Sequence, residues 1–228
     1  MSSRKSSHQY LLAPRVTVSR YKELVEATPP DRNALAKMVR RRFEARFIEP
    51  VTDGERVRGG FATLALCCLG IQALQSFRSG KPNSNTNGAI KKFLKDNKEF
   101  SSLRGHETAF CNNIRHALHH QAQTDGGWRI NISGPVFSPS SLSIGAQKFL
   151  DGFTDALARY CSELEATTDE SPLWMSFLNK MKFVIRTCDA EAGARAYLQH
   201  STTSVHLRAS SAKSAVLLSQ EKNPAPLG

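Results

Sequence analysis

The side chains best suited to chemistry are gathered in one run, Cys111-Asn112-Asn113-Ile114-Arg115-His116-Ala117-Leu118-His119-His120-Gln121. Three imidazoles, a guanidinium and three carboxamides are more polar function than a packing helix needs. An imidazole with its ordinary pKa near 6.5 takes or gives a proton at neutral pH. A guanidinium is always charged, and its planar fork matches phosphate oxygens. Together these groups supply what RNA cleavage without a metal requires. Histidine removes the 2′-hydroxyl proton or protonates the 5′-oxygen leaving group, and arginine holds the charge of the phosphorane between them. Two other readings stand beside this one. Zinc on Cys111, His116, His119 and His120 needs a tetrahedral set, but the run lacks the glutamate of a metalloprotease helix and no second Cys/His cluster complements it. The third reading is a solvated helix face whose histidines are held by their neighbours.

Spacing decides which of these groups can meet. At about 100° per residue, His116 and His120 share one helix face, and Arg115 and His119 share another. Arg115 and His120 are five apart, so about 140° separates them on an ideal helix. They converge on one ligand through arginine's long reach, a local distortion of the helix, or a second copy of the chain across a dimer.

The elements that must position this run follow from periodicity and punctuation. Asp31 predicts a helix cap, with Leu35, Met38, Val39 and Phe43 at helical spacing to about Phe47 and Glu49-Pro50 as the stop. A second helix is expected after Asp53 to Arg78, broken by Ser79-Gly80-Lys81-Pro82, and a short basic helix over Ala89 to Lys95. The motif helix is expected from about Gly105 to Thr124, burying Phe110, Ile114, Ala117, Leu118 and Gln121 and stopped by Gly126-Gly127. Trp128 to Ile132 alternates as a short strand or extended arm. A helix from about Ser143 to Glu165 carries Phe149, Leu150, Phe153, Ala156, Leu157, Tyr160, Cys161 and Leu164 on one stripe. Ser171-Pro172 opens the last helix, with Trp174, Phe177, Leu178, Met181, Val184 and Ile185 inward and an end as late as Leu198. The sum is an all-α bundle of five or six helices with a short extended arm. Its expected parts are a basic, partly flexible segment over residues 1–30, a helical domain over 31–199 and a Ser/Ala-rich tail over 200–228.

The whole chain has 31 Lys plus Arg against 20 Asp plus Glu, a net charge of +11, and a pI near 9.7. That favours a polyanionic partner, nucleic acid first and an anionic membrane surface second. The excess charge lies ahead of residue 107 and the motif segment is neutral, so the N-terminal half is expected to steer RNA toward Arg115 and His120. A hydrophobic content of 40% with a mean hydropathy of −0.38 excludes a polytopic membrane protein and a wholly disordered chain. At 228 residues the length suits one domain with tails. The five cysteines include no CxxC pair, which fits a reducing cytoplasm better than a disulfide scaffold. No apolar region follows the basic start, so no secretory signal is expected, and the apolar stretch Phe61 to Leu74 reads as a core helix. Arg40-Arg41-Arg42 reads as a solvated helix face or a phosphate track. Trp128 reads first as a plug packing the arm onto the bundle and second as a base-stacking platform.

The run Phe110-Cys-Asn-Asn-Ile-Arg115-His116-Ala-Leu-His119-His120-Gln121-Ala-Gln-Thr124, followed by Gly126-Gly127-Trp128-Arg129-Ile130, resembles the HEPN superfamily. More narrowly it is similar to a bacterial branch whose signature continues as His-Gln-Ala-Glu-Thr and then Gly-Trp plus a basic residue. Arg115, four intervening residues and His120 match the core motif, His116 takes the polar position, and Gln123 stands where that branch usually has an acid. The similarity extends over about residues 45 to 165. It implies an HEPN-like bundle and a homodimeric endoribonuclease that works without metal or other cofactor. His120 would be the acid/base residue, Arg115 the phosphate and transition-state stabiliser, and His116 and Asn112 would orient substrate or His120. The resemblance further implies a toxin or anti-phage effector restrained by an antitoxin or other regulatory protein. Other members are non-catalytic modules that bind nucleic acid or a partner protein.

Overall fold

The computed structural model describes residues 10–52, 59–83 and 85–188, and these are mostly helical. The chain enters through an antiparallel hairpin, β1 (Leu11–Ala13) and β2 (Val16–Thr17), which leads directly into α1 (Val18–Glu26). Asp31 caps α2 (Arg32–Phe43), its carboxylate accepting from the Ala34 amide at 2.9 Å. The helix continues through a π-helical turn (Glu44–Ile48) into α3 (Glu49–Thr52). Next comes α4 (Gly60–Ser79), ended by Gly80 at φ 67°, a left-handed cap that glycine adopts without strain. Asn85 caps α5 (Thr86–Asp96), and a 3-10 turn (Lys98–Leu103) follows. The motif helix is built of three joined parts: α6 (Glu107–Phe110), a π-helical turn (Cys111–His116) and α7 (Ala117–Gln121). Two short parallel strands, β3 (Arg129–Asn131) and β4 (Ser143–Gly145), precede α8 (Ala146–Glu165), and α9 occupies 172–188.

The centre is the packing of α4 on α8, with α2 also on α8 and α5 also on α4. Every residue of the stripe Phe149, Leu150, Phe153, Ala156, Leu157, Tyr160, Cys161 and Leu164 is buried, as its spacing predicts. Burying each large apolar side chain stabilises the fold by about 1.5–3 kcal/mol. Phe153 packs the tip of its ring against α4 because residue 70 is glycine; a Cβ there would come within 2.5 Å of its Cζ. Phe110 stacks on Phe149 at 5.2 Å and so fixes the start of the motif helix against α8. By length and composition α4 is long and apolar enough to cross a membrane, yet it packs on α5 and α8 with 56% of its most apolar window buried. It is a core helix here, longer than the apolar stretch that marks it in the sequence.

Several boundaries differ from the sequence-based expectation. Residues 10–26 belong to the folded unit rather than to a segment ending at residue 30: Leu12, Val18, Tyr21 and Leu24 are buried. Their signal is hidden because the hairpin turns at Pro14-Arg15, with Arg15 at φ 63°, and breaks any long period. Pro50 does not stop the α2 run, which passes through the π turn immediately before it. The stretch Ser143–Gly145 is strand, so α8 starts at Ala146. On α9, Trp174, Phe177 and Met181 are buried, whereas Leu178, Val184 and Ile185 are only half-buried. The expected start of the second helix at residues 53–58, its far end beyond 188, and the tail over 200–228 lie outside the described residues.

Candidate functional site

The motif helix is held by its inner side and offers its chemistry on the outer one. Phe110, Cys111, Ile114 and Ala117 are buried, Arg115 and Leu118 are half-buried, and His116, His119 and His120 are exposed. Phe110 and Cys111, three and four residues past buried Glu107, both face inward as on an α-helix, and the Cys111–His116 turn is π-helical. Its hydrogen bonds run five residues back and accommodate one residue more than an α-turn. Past that turn the inner stripe no longer continues the period set by α6. Gln121, expected in the stripe, is exposed.

The helix ends at Gln121 rather than Thr124, with Ala122 in the left-handed region at φ 54°. The two glycines act later: at φ 58° and 76°, Gly126 and Gly127 turn the chain back along the helix. The Asp125 amide donates to the Asn113 carbonyl at 2.9 Å, and a Cβ on Gly126 would come within 2.9 Å of Asn113 Nδ2. Thr124 Oγ1 donates to the Trp128 carbonyl at 2.6 Å. The Trp128 ring is buried at 4% exposure and stacks on Phe137 at 4.8 Å, so it is the plug of the arm, with no free face for a base.

The two side-chain pairs four residues apart form as their spacing predicts. His116 and His120 approach to 4.4 Å between ring centroids, tilted by 47°. Arg115 and His119 line one groove, about 150 Å³ in volume, with Leu118 and with Cys68, Leu69 and Gln72 of α4. That is below the ~300 Å³ at which pockets for whole small molecules begin, and it suits one phosphodiester of an extended ligand. His119 joins the two pairs, standing edge-on to His120 at 4.8 Å with an interplanar angle of 88°. Desolvation holds the His120 pKa below its ordinary 6.5, and the charges of His116, His119 and Arg115 push the same way. The result is an imidazole that is neutral, and able to accept a proton, at neutral pH. A titration of the His120 ring-proton resonance should have its midpoint below 6.5, and His119→Asn should move it upward by removing one charged neighbour. A wild-type midpoint at or above 6.5 would contradict this electrostatic arrangement.

Asn112 is exposed, and no hydrogen bond among the described residues ties its amide to the histidines. Its neighbour Asn113 instead braces the returning arm. Cys111 faces the core, its Sγ 3.9 Å from the Asn87 carbonyl, and burial raises its pKa. Among the described residues no group of three or more His, Cys, Asp or Glu is arranged to hold a metal ion. The arginine run divides three ways. Arg42 donates to the Leu12 carbonyl, with its pKa pushed down to about 10 by burial and then by Arg46. Arg41 pairs with Glu44 at 2.8 Å and Glu49 at 3.1 Å, and Arg40 sits beside the Cys161 thiol. This is neither a plain solvated face nor an open phosphate track.

The bridging role of His119 and the α4 wall of the groove were not singled out from sequence. The spacing of His119 from Arg115 carried the first signal. The second depends on tertiary packing and has no local signature. No family model matches the chain, and neither a curated protein nor a solved structure does.

Proposed function

We propose that the chain is a metal-independent endoribonuclease with an HEPN-like bundle, acting on RNA as a homodimer. The observation that carries the reading is the histidine cluster beside the Arg115 groove, where desolvation, then His116, His119 and Arg115, hold the pKa of His120 down. A phosphodiester in the groove meets a guanidinium able to hold two of its oxygens. Neutral His120 then removes the 2′-hydroxyl proton, the 2′-oxygen attacks phosphorus, and the P–O5′ bond breaks as a second imidazole protonates the departing oxygen. Arg115 stabilises the charge that grows on the phosphorane. The products are a 2′,3′-cyclic phosphate and a 5′-hydroxyl.

The homodimer is supported by exposed Phe61 and Leu69 on α4, each 45% exposed, and Ile132 at 56% just past β3. Leu69 also borders the groove, so a second copy covering this apolar surface would bring its own Arg115 and His120 toward the first site. The role as a toxin or anti-phage effector held by an antitoxin follows from the resemblance alone. The test is incubation of the purified chain with RNA in EDTA, with analysis of the new ends. We expect fragments bearing 2′,3′-cyclic phosphate; intact RNA, or cutting that needs an added divalent cation, overturns the proposal.

A further inference from the structure

A second cationic surface lies at the far end of α4, away from the histidines. Two adjoining clefts of about 400 and 480 Å³ share Phe183 and Arg186 as walls. The first also takes in Gly80 and Lys182, the second Pro82 and Lys180. Lys182 and Arg186 are exposed, lie four apart on one face of α9, and form no ion pair among the described residues. Lys180 is fixed by donating to the Pro82 carbonyl at 2.7 Å. Burial and then the charge of Arg42 lower its pKa, and Arg46 acts likewise on Arg42, so α2 and α9 direct positive charge to one corner. Beside the two exposed cations, on the wall that both clefts share, stands Phe183, a core-type side chain left 36% exposed.

We infer that this corner of α9 and α4 is a docking surface for single-stranded RNA, with Phe183 stacking a base and Lys182 and Arg186 holding the flanking phosphates. Exposed aromatic surface beside a cationic groove is the pattern by which proteins hold single strands without reading sequence. Gln72 in the groove stands eight positions before Gly80, the cap of α4 in the cleft, a rise of about 12 Å, so one strand can reach both. The inference rests on RNA being the substrate and adds where the strand is held outside the Arg115 groove.

The probe is a fluorescent, fully 2′-O-methylated oligouridine, which cannot be cleaved, titrated against the full chain at several salt concentrations. Lys182→Ala/Arg186→Ala should weaken binding at least about tenfold at low salt and flatten the slope of log affinity against log salt by about 1.4, the contribution of two phosphates. Phe183→Ala should weaken binding about five- to a hundredfold, as loss of one stacked base does. Both variants should melt as the wild type does. Unchanged affinity and slope in the double variant overturn the inference even if the chain cuts RNA. Conversely, these losses in a chain that cuts no RNA uphold it while the endoribonuclease proposal falls. Failure of the wild type to bind the probe overturns it outright. Displacement of the probe by polyglutamate but not by unlabelled RNA would assign the surface to an acidic polypeptide and likewise overturn it.

Discussion

His120→Ala should slow RNA cleavage about 10²–10⁴-fold, the range that a positioned general acid or base contributes. Arg115→Ala should lose about 10²–10³-fold, as removal of one group that stabilises transition-state charge does. Neither side chain belongs to the buried core, so thermal midpoints should match the wild type. The two losses should not multiply in the double variant, because the guanidinium and the imidazole act on one transition state. Initial rates on a labelled oligonucleotide measure this directly, and induced expression with and without His120→Ala measures it in cells. Full cleavage by both purified single variants would sink the assignment. Wild-type toxicity that His120→Ala leaves unchanged would count against a nuclease in the same way.

The largest expected effect on stability is at Trp128. Truncating a buried aromatic to alanine costs about 3–5 kcal/mol, and in a domain of this size each kcal/mol lowers the melting temperature by about 2–4 °C. The ring is the arm's anchor: it stacks on Phe137, while its backbone amide donates to Asp125 and its carbonyl accepts from Thr124. Trp128→Ala should therefore melt well below wild type, and Trp128→Phe should recover much of the difference because it keeps an aromatic face toward Phe137. The result that would reverse this assignment is an unshifted melting curve with weakened RNA binding, the mark of a stacking platform rather than a plug.

How much of this was legible in the sequence depends on the range of the interaction. The α8 stripe, the Asp31 cap and the Gly80 stop were readable because each is decided within a few residues, by period, side-chain oxygen or missing Cβ. Alternation likewise marked β3 within the arm, but its parallel partner Ser143–Gly145 has no such pattern. The π turn at Cys111–His116 escaped because one extra residue shifts the inward stripe halfway along the helix, so a single 3.6-residue template wrongly turned Gln121 inward. The pairs Arg115–His119 and His116–His120 survived that shift, since each joins one of the last two residues of the turn to the α-helical segment after it. Charge summed by segment hid the α9 surface. The stretch from 136 to 188 is nearly neutral in sum because its acids all lie at or before Glu170, which masks the acid-free run that carries Lys180, Lys182 and Arg186; only folding sets Arg42 near Lys180.

The left-handed Ala122 ends the helix immediately after the histidines to which the proposed chemistry is assigned. His119 and His120 therefore occupy the final turn, where the last peptide carbonyls have no amide partners within the helix and the macrodipole presents its negative pole. An imidazolium formed there on proton abstraction meets a field that favours it, which offsets part of the repulsion from its cationic neighbours. In the proposed reaction, stopping the helix at Gln121 thus serves the base as well as chain reversal: the backbone itself becomes a counter-charge, where no carboxylate among the described residues pairs with His120.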